Sequence, residues 1–342
     1  MIVYEATKAE FVDSVFSGSI ADEIYDVYKQ KIGKSNESQI RSWENSMQFM
    51  YRILEDVEIP DDCGVAIEFT IPTTSKRIDF IITGQDDNKT DSVVIIELKQ
   101  WDLAEKVTGK DAIVKTYLSG GIRETTHPSY QAWTYAALIE NFNETVEEDA
   151  IELYPCAYLH NYDFKKNNAL TDEIYKKYYD LAPLYGKRDA LKLREFIKKY
   201  IKTGDSTDIL YRIDNGKIRP SKKLQDCLRG MLEGNKFFCM VDEQKVAYEL
   251  AVKMARDSYL DDKKRVLIVE GGPGTGKSVV AINLLVDLIN DELNALYVTK
   301  NSAPRNVFFE KLRGSNYTHW KRGSKEWSSR QGNTQGGTPY RT

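Results

Sequence analysis

One glycine-rich segment near the carboxyl end constrains the fold of this chain more than any other feature. Residues 271–278 read Gly-Gly-Pro-Gly-Thr-Gly-Lys-Ser and match the pattern G-x-x-x-x-G-K-[ST]. The apolar run 265–270 predicts a buried parallel strand before the segment, and residues 279–289 predict a helix after it. A strand, a glycine-rich loop and a helix in this order predict a phosphate-binding loop.

Each residue type in this loop has a chemical role. Glycines let backbone N–H groups converge on phosphate oxygens, and the helix N-terminus adds its dipole. The lysine reaches the β- and γ-phosphates, and the serine hydroxyl holds Mg²⁺. We therefore predict that ATP binds here. The candidate nucleotide-binding residues of the loop are Gly271, Gly272, Gly274, Thr275, Gly276, Lys277 and Ser278.

Composition and cysteine usage exclude several classes of protein. The chain is 41% hydrophobic and 29% charged, as in soluble globular proteins. It has neither a long apolar run nor a secretory signal, so we predict a cytoplasmic protein with no membrane span. The scattered cysteines have no C-x-x-C spacing and are predicted to be reduced thiols. They are Cys63, Cys156, Cys227 and Cys239.

Charge is distributed unevenly along the chain. The formal net charge is −4, so the whole molecule is not a strong attractor for nucleic acid. Residues 161–202, however, carry 11 Lys/Arg against 6 Asp/Glu, with Tyr and Phe interleaved. This pattern fits a nucleic-acid face, and it fits a solvated helical surface equally well.

Two strand-like runs in the first hundred residues carry acidic side chains. Asp79 lies in the run 78–83, and Glu97 and Lys99 lie in the run 92–99. Positions i and i+2 of a strand share a face, so Glu97 and Lys99 point the same way. If the two strands pair, Asp79 converges with Glu97, and the two carboxylates make a site for Mg²⁺ or Mn²⁺. Lys99 then places a positive charge on a pentavalent phosphate.

This D…E-x-K arrangement resembles the PD-(D/E)xK nuclease superfamily. Gln131 and Tyr135 stand four residues apart on the predicted helix 128–142 and therefore share one face. The pair looks like the Q-x-x-x-Y motif of RecB-like nucleases. The resemblance implies a restriction-endonuclease-like mixed sheet with flanking helices. It also implies the catalytic residues Asp79, Glu97, Lys99, Gln131 and Tyr135.

The resemblance implies one more acidic residue, from the first helices. Glu37 and Glu44 are both candidates, and we favour Glu37 as the additional metal ligand. Each also fits an ordinary glutamate on a helix surface or cap. His127, one turn before Gln131, is either a catalytic group or a structural hydrogen bonder.

A short acidic segment precedes the phosphate-binding loop. It ends at Gln244, 27 positions before Gly271, and leads into an amphipathic helix. The segment resembles the Q-motif of superfamily 1 helicases, in which the glutamine reads the adenine edge. Together with the loop and residues 296–301, it looks like the start of the bacterial Schlafen-type DNA/RNA helicase domain family. Members of that family often carry an N-terminal nuclease-like domain, and the resemblance covers residues 30–314.

The order of elements predicts an α/β protein in several parts. Periodicity predicts a helix over 39–54, strands over 65–71 and 151–159, and a second strand of the nucleotide domain over 294–299. A further helix is predicted over 307–312. The predicted domains are 1–165 as PD-(D/E)xK nuclease-like, 166–236 as a helical connector, 237–314 as the N-terminal part of a RecA-like P-loop domain, and 315–342 as a disordered or frame-shifted tail.

Only 64 residues follow the phosphate-binding loop. A helicase motor also needs an apolar strand ending in Asp-Glu and arginines from a second RecA-like domain. No such strand follows Ser278, and residues 315–342 contain no Ala, Val, Ile, Leu, Met or Cys. A natural disordered tail and a truncated or frame-shifted gene product both fit this pattern, and we favour the second. We expect ATP hydrolysis and unwinding by this chain alone to be absent.

Three functions follow from these features as hypotheses. The first is metal-dependent hydrolysis of DNA or RNA by the N-terminal domain, coupled in a full-length parent to an ATP-dependent helicase. The second is a non-catalytic nucleic-acid-binding module attached to that ATP-binding domain. The third is a regulatory nucleotide-binding module that acts without nucleic acid. The oligomeric state does not follow from the sequence.

Overall fold

The computed structural model describes residues 1–298 with the exception of 34, 73, 119 and 219–239. The described residues fall into two compact units, residues 1–218 with 240–280 and residues 281–298. No helix in this part of the chain is long and apolar enough to cross a membrane.

Two sheets lie in the first unit. The strands are β1 (Tyr4–Thr7), β2 (Gly64–Thr70), β3 (Arg77–Gln85), β4 (Asp91–Lys99), β5 (Glu105–Lys106), β6 (Ile113–Leu118), β7 (Gly121–Thr126), β8 (Glu152–Leu159) and β9 (Leu184–Gly186). Six of them form a mixed sheet in the order β1-β2-β3-β4-β8-β9, and the other three form a small antiparallel sheet. Strands β1 to β4 are antiparallel neighbours, whereas β4, β8 and β9 run parallel.

The part of the chain that the structure describes contains ten helices. They are α1 (Lys8–Ser17), α2 (Ile20–Lys31), α3 (Glu37–Leu54), α4 (Pro128–Phe142), α5 (Glu144–Glu148), α6 (Lys176–Tyr179), α7 (Ala190–Tyr200), α8 (Ile209–Asp214), α9 (Asp242–Asp261) and α10 (Lys277–Asn290). Two 3₁₀ turns, Ala169–Thr171 and Glu173–Tyr175, precede α6.

Both faces of the mixed sheet are buried, because successive side chains of a strand point to opposite faces. Val94 and Ile96 of β4 join a core cluster with α1, α2, α3 and α7. Val93 and Ile95 join a second cluster with α4 and α8. Burial on both sides explains why β4 is an almost unbroken apolar run.

Several predicted elements are confirmed. The mixed sheet with flanking helices is present, and the predicted strands and helices of residues 39–159 coincide with β2, β3, β4, β8, α3 and α4 within two residues. Helix α3 illustrates why. Asn36 caps it by accepting a 2.8 Å hydrogen bond from Gln39 N, and Trp43, Met47 and Met50 bury one face.

The stretch predicted as a helical connector contributes to the mixed sheet. Strand β9 pairs with β8, and Leu193 and Ile197 of α7 lie in the core beside α3. A strand of three residues is too short to show an alternating pattern, which is why the sequence did not predict it. The domain boundaries themselves stay a prediction, since residues 219–239 lie outside the described residues.

The prediction of two strands around the glycine-rich loop 271–278 is wrong for the described residues. Residues 262–276 and 293–298 have no regular strand, and Val266 and Ile268 are 83% and 77% exposed. An apolar run becomes a parallel strand only beside hydrogen-bonding neighbours, and neither sheet of the described residues includes these runs. The predicted helix 307–312 and tail 315–342 lie outside the described residues.

Two of the four cysteines can be placed. Cys63 and Cys156 are buried free thiols, and burial raises the pKa of Cys63 to about 12. Both thus lie in the core, whereas Cys227 and Cys239 lie outside the described residues.

Candidate functional site

Three residues lie together at the side of the mixed sheet where β3 begins and β4 ends: Asp79, Glu97 and Lys99. Strands β3 and β4 pair with Phe80 opposite Ile96, so Asp79 lies opposite Glu97. The Asp79 carboxylate accepts a 2.8 Å hydrogen bond from the backbone N–H of Leu98. Lys99 Nζ lies 2.5 Å from Glu97 Oε1. The structure therefore brings together the three residues that the D…E-x-K pattern singled out.

Burial and like charge make this cluster electrostatically unusual. Burial raises the pKa of Asp79 to about 6, and the positive charge of Lys99 opposes that rise. The pKa of Glu97 is raised well above its ordinary value, first by burial and then by the charge of Asp79. Within the described residues, Glu97 Oε2 is buried and has no hydrogen-bond partner. This oxygen of Glu97 is therefore open to a proton or to a cation.

The raised pKa of Asp79 gives a stability prediction. Between its ordinary value and about 6, the folded protein binds more protons than the unfolded chain. Without a divalent ion, stability is therefore expected to fall as pH rises through this window. We expect Asp79→Asn to raise the free energy of unfolding at about pH 8 by on the order of 1–2 kcal/mol, and less at about pH 4. Urea denaturation at both pH values measures this, and an equal gain at both would contradict an ionisation origin.

Gln131 and Tyr135 of α4 border the carboxylate cluster. Gln131 Nε2 donates a 2.8 Å hydrogen bond to the Tyr135 hydroxyl, as their spacing on one helix face predicts. Burial raises the pKa of Tyr135, and the charges of Glu97 and Asp242 raise it further. Tyr135 is therefore a protonated donor close to Glu97, and it donates a 2.7 Å hydrogen bond to Asp242.

Asp242 and Lys76 complete this network and were not predicted from the sequence. Asp242 opens α9, where its backbone φ is +38°, and its carboxylate lies 2.9 Å from Lys76 Nζ. Its negative charge adds to the raised pKa of Glu97. The only sequence signal was its position two residues before Gln244, in the segment already singled out.

Glu68 is a second acidic residue that the sequence analysis missed. It lies on β2 opposite Asp79, since Ile67 pairs with Phe80 in the register of β2 and β3. Its carboxylate accepts a 2.9 Å hydrogen bond from Trp43 Nε1 and pairs with Arg77. Glu68 thus has its own partners, and its charge reaches the cluster by raising the pKa of Asp79.

The structure does not bring Glu37 into the cluster. Its side chain is 87% exposed and pairs with Arg41 one turn along α3. Glu44 is also exposed. An acidic residue in the first turn of a helix is stabilised by the helix dipole, which accounts for Glu37 without a metal.

His127 has a structural role. It caps α4, where Nδ1 accepts a 3.2 Å hydrogen bond from Ser129 N and Nε2 lies 2.9 Å from the Leu170 carbonyl. The ring stacks on Tyr175, and burial lowers its pKa to about 4. Of the two alternatives for His127, the structure supports the structural hydrogen bonder.

The donor set at the cluster fits one kind of cation. Among the described residues there is no group of three or more His, Cys, Asp or Glu side chains arranged to hold a metal ion. Mg²⁺ needs less than that, because it is commonly held by one or two carboxylates together with water and substrate phosphate. Asp79 and Glu97 supply two carboxylates, and Oε2 of Glu97, which has no hydrogen-bond partner among the described residues, could serve as a ligand of the ion.

The phosphate-binding loop has the local geometry that its glycines predict. Gly274 and Gly276 have φ values of +74° and +81°, which favour glycine. Lys277 begins α10, and its ammonium donates to the carbonyls of Gly271 at 2.7 Å and Gly272 at 2.5 Å. The lysine thus lies over the loop, and Ser278 follows it in the first turn of the helix.

Gln244 contacts this loop directly. Its Nε2 donates a 3.1 Å hydrogen bond to the Thr275 carbonyl, and its Oε1 accepts one from Val241 N at 3.2 Å. A Cβ atom at Gly276 would lie 2.4 Å from the Gln244 amide. The glutamine predicted to read adenine therefore lies against the loop predicted to hold phosphate, and its contact with a base stays a prediction.

One segment of the chain is similar to a known family. Residues 264–336 match the family model of Schlafen group 3, DNA/RNA helicase domain. The match covers 73 of 342 residues, includes the phosphate-binding loop, and extends beyond the described residues at 298. No curated protein and no solved structure matches the chain. Similarity to a helicase domain is thus established for this segment, and the nuclease assignment of the N-terminal domain stays a prediction.

Proposed function

We propose that residues 1–165 form a PD-(D/E)xK-type, metal-dependent nuclease domain, joined to an ATP-binding segment of RecA-like helicase type. The observation that carries the proposal is the meeting of Asp79, Glu97 and Lys99 at one sheet edge, with Tyr135 beside them. Two carboxylates and an ammonium group at one edge suit a phosphodiester substrate of DNA or RNA.

Each residue of the cluster has a role in this proposal. Asp79 and Glu97 would hold Mg²⁺ or Mn²⁺, which orients the phosphate, lowers the pKa of an attacking water and stabilises the leaving oxygen. Burial lowers the pKa of Lys99, but the charges of Glu97 and Asp79 raise it by more, so Lys99 stays charged. Its ammonium group would then face the phosphate. Tyr135, held by Gln131, is a hydrogen-bond donor at the border of the site.

The helicase similarity supports the second half of the proposal. Gln244 and the loop 271–278 would bind ATP, and the similarity of residues 264–336 to a helicase domain is the reason to propose a helicase-type ATPase in this part of the chain. Similarity to a DNA/RNA helicase domain also supports nucleic acid as the partner of both parts.

A cleavage assay tests the proposal. Purified protein is incubated with end-labelled single- and double-stranded DNA and RNA, in Mn²⁺, in Mg²⁺ and in EDTA. We expect cleavage of at least one substrate with a divalent ion and none in EDTA. Absence of cleavage of all four substrates by correctly folded protein would reject the nuclease proposal.

A second candidate function is a non-catalytic nucleic-acid-binding module. One observation favours it: Lys99 already pairs with Glu97, and Leu98 N already pairs with Asp79, so much of the cluster is satisfied by its own residues. Titration calorimetry with Mn²⁺ in the absence of nucleotide separates the two functions. Binding that Asp79→Asn removes supports the nuclease, whereas oligonucleotide binding without any Mn²⁺ binding supports the module.

A further inference from the structure

A cavity of about 420 Å³ is lined mostly by residues that follow strands β4, β8 and β9. Its lining combines three basic side chains, two acidic ones and an amide. The lining residues are Asp102, Asn161, Asp163, Lys166, Lys187 and Arg188.

The sheet register explains why residues that follow these three strands lie together. Lys99 pairs with Leu159, and Leu159 pairs with Gly186, so β4, β8 and β9 end at the same edge. Most of the lining residues follow these strand ends within three positions. Ligands of open α/β sheets bind outside the carboxyl ends of parallel strands. Gly186 lies two strands from Lys99, or on the order of 10 Å away.

The lining carries one more positive than negative charge, with three basic side chains against two acidic ones. Arg188 is oriented by Asp163, with Nη2 2.9 Å and Nε 3.1 Å from the same carboxylate oxygen. Lys166 and Lys187 are exposed, and in the part of the chain that the structure describes neither forms an ion pair. Asn161 is tied to the end of β4 by a 3.1 Å hydrogen bond from its Nδ2 to the Gln100 carbonyl.

We propose that this cavity binds a backbone phosphate of the nucleic acid whose scissile phosphate lies at Lys99. The inference rests on the proposed function and names a contact with its substrate. A distance of about 10 Å corresponds to about three nucleotides at the rise of one duplex strand. Lys166 and Lys187 supply the positive charge, and Arg188 fixes one side of the cavity.

Oligonucleotide binding in EDTA tests the inference without requiring cleavage. Fluorescence anisotropy with a labelled 30-nucleotide DNA or RNA strand is recorded over a series of salt concentrations. Lys187→Ala is expected to weaken binding about 5-fold at about 0.1 M salt and to reduce the salt slope by about 0.7, the value for one contact with a single strand. Lys166→Ala/Lys187→Ala is expected to reduce the slope by about 1.4. Lys165→Ala, a neighbouring exposed lysine outside the cavity lining, is the matched control.

The outcomes separate this inference from the nuclease proposal. If the cavity variants lose slope and the control does not, the inference holds even for a protein that cuts nothing. If the wild type cuts but Lys187→Ala and Lys165→Ala have equal affinity and slope, the inference is wrong while the nuclease stands. Failure of the wild type to bind any oligonucleotide also overturns it.

Discussion

Glu97→Gln is expected to lower metal-dependent cleavage by about 10³-fold, because it removes one of two carboxylates at the candidate metal site. The amide keeps the volume of the side chain but loses the charge that the cation needs. Glu97 is 3% exposed, so solvent cannot replace it as a ligand without rearrangement. Single-turnover cleavage with Mn²⁺ measures the effect, and Mn²⁺ calorimetry measures the loss of binding.

The matched control for this substitution is Glu37→Gln. Glu37 was the predicted additional metal ligand, yet its carboxylate lies exposed beside Arg41. We expect Glu37→Gln to leave both cleavage and Mn²⁺ affinity unchanged. Circular dichroism checks that both variants fold. Full cleavage by Glu97→Gln, or loss of cleavage in Glu37→Gln, would show that the metal site has been assigned to the wrong carboxylates.

Lys277→Ala is expected to weaken nucleotide binding by about 10- to 100-fold, the loss of charge-assisted hydrogen bonds to phosphate. In the structure its ammonium donates to the carbonyls of Gly271 and Gly272, and phosphate oxygens would replace these acceptors. Titration with a fluorescent N-methylanthraniloyl derivative of ADP, in Mg²⁺, measures the affinity.

Lys264→Ala is the control for the loop lysine. Lys264 is exposed, lies outside the loop, and carries the same charge. It is expected to bind the fluorescent nucleotide as the wild type does. Equal losses in Lys264→Ala and Lys277→Ala would indicate a general charge effect. A wild-type chain that binds no nucleotide would contradict the prediction that the loop 271–278 binds ATP.

The carboxylate cluster was predictable because its parts are local. Two apolar runs predicted β3 and β4, and only the pairing of these strands was left as a condition. Once these strands pair in register, Asp79 lies opposite Glu97. Gln131 and Tyr135 needed only the periodicity of one helix.

Other parts of the site could not be predicted from local pattern. Glu37 and Glu44 were both candidates for the additional metal ligand. A helical pattern shows which face of a helix is apolar, but it does not show which acidic residue reaches a distant strand. His127 was ambiguous for a similar reason, since its partner Leu170 comes from a separate segment. The strand runs around the phosphate-binding loop had the right composition but no neighbouring strand in the described residues.

The sequence by itself determined the loop motif at 271–278, the strand positions of Asp79 and Glu97, and the helix face of Gln131 and Tyr135. These features depend on motif and period, which act over a few residues. Only the tertiary structure decided that Asp242, 107 positions after Tyr135, accepts its hydrogen bond, and that residues following three different strands line one cavity. Such contacts join distant segments, and they depend on how helices and strands pack rather than on any repeat along the chain.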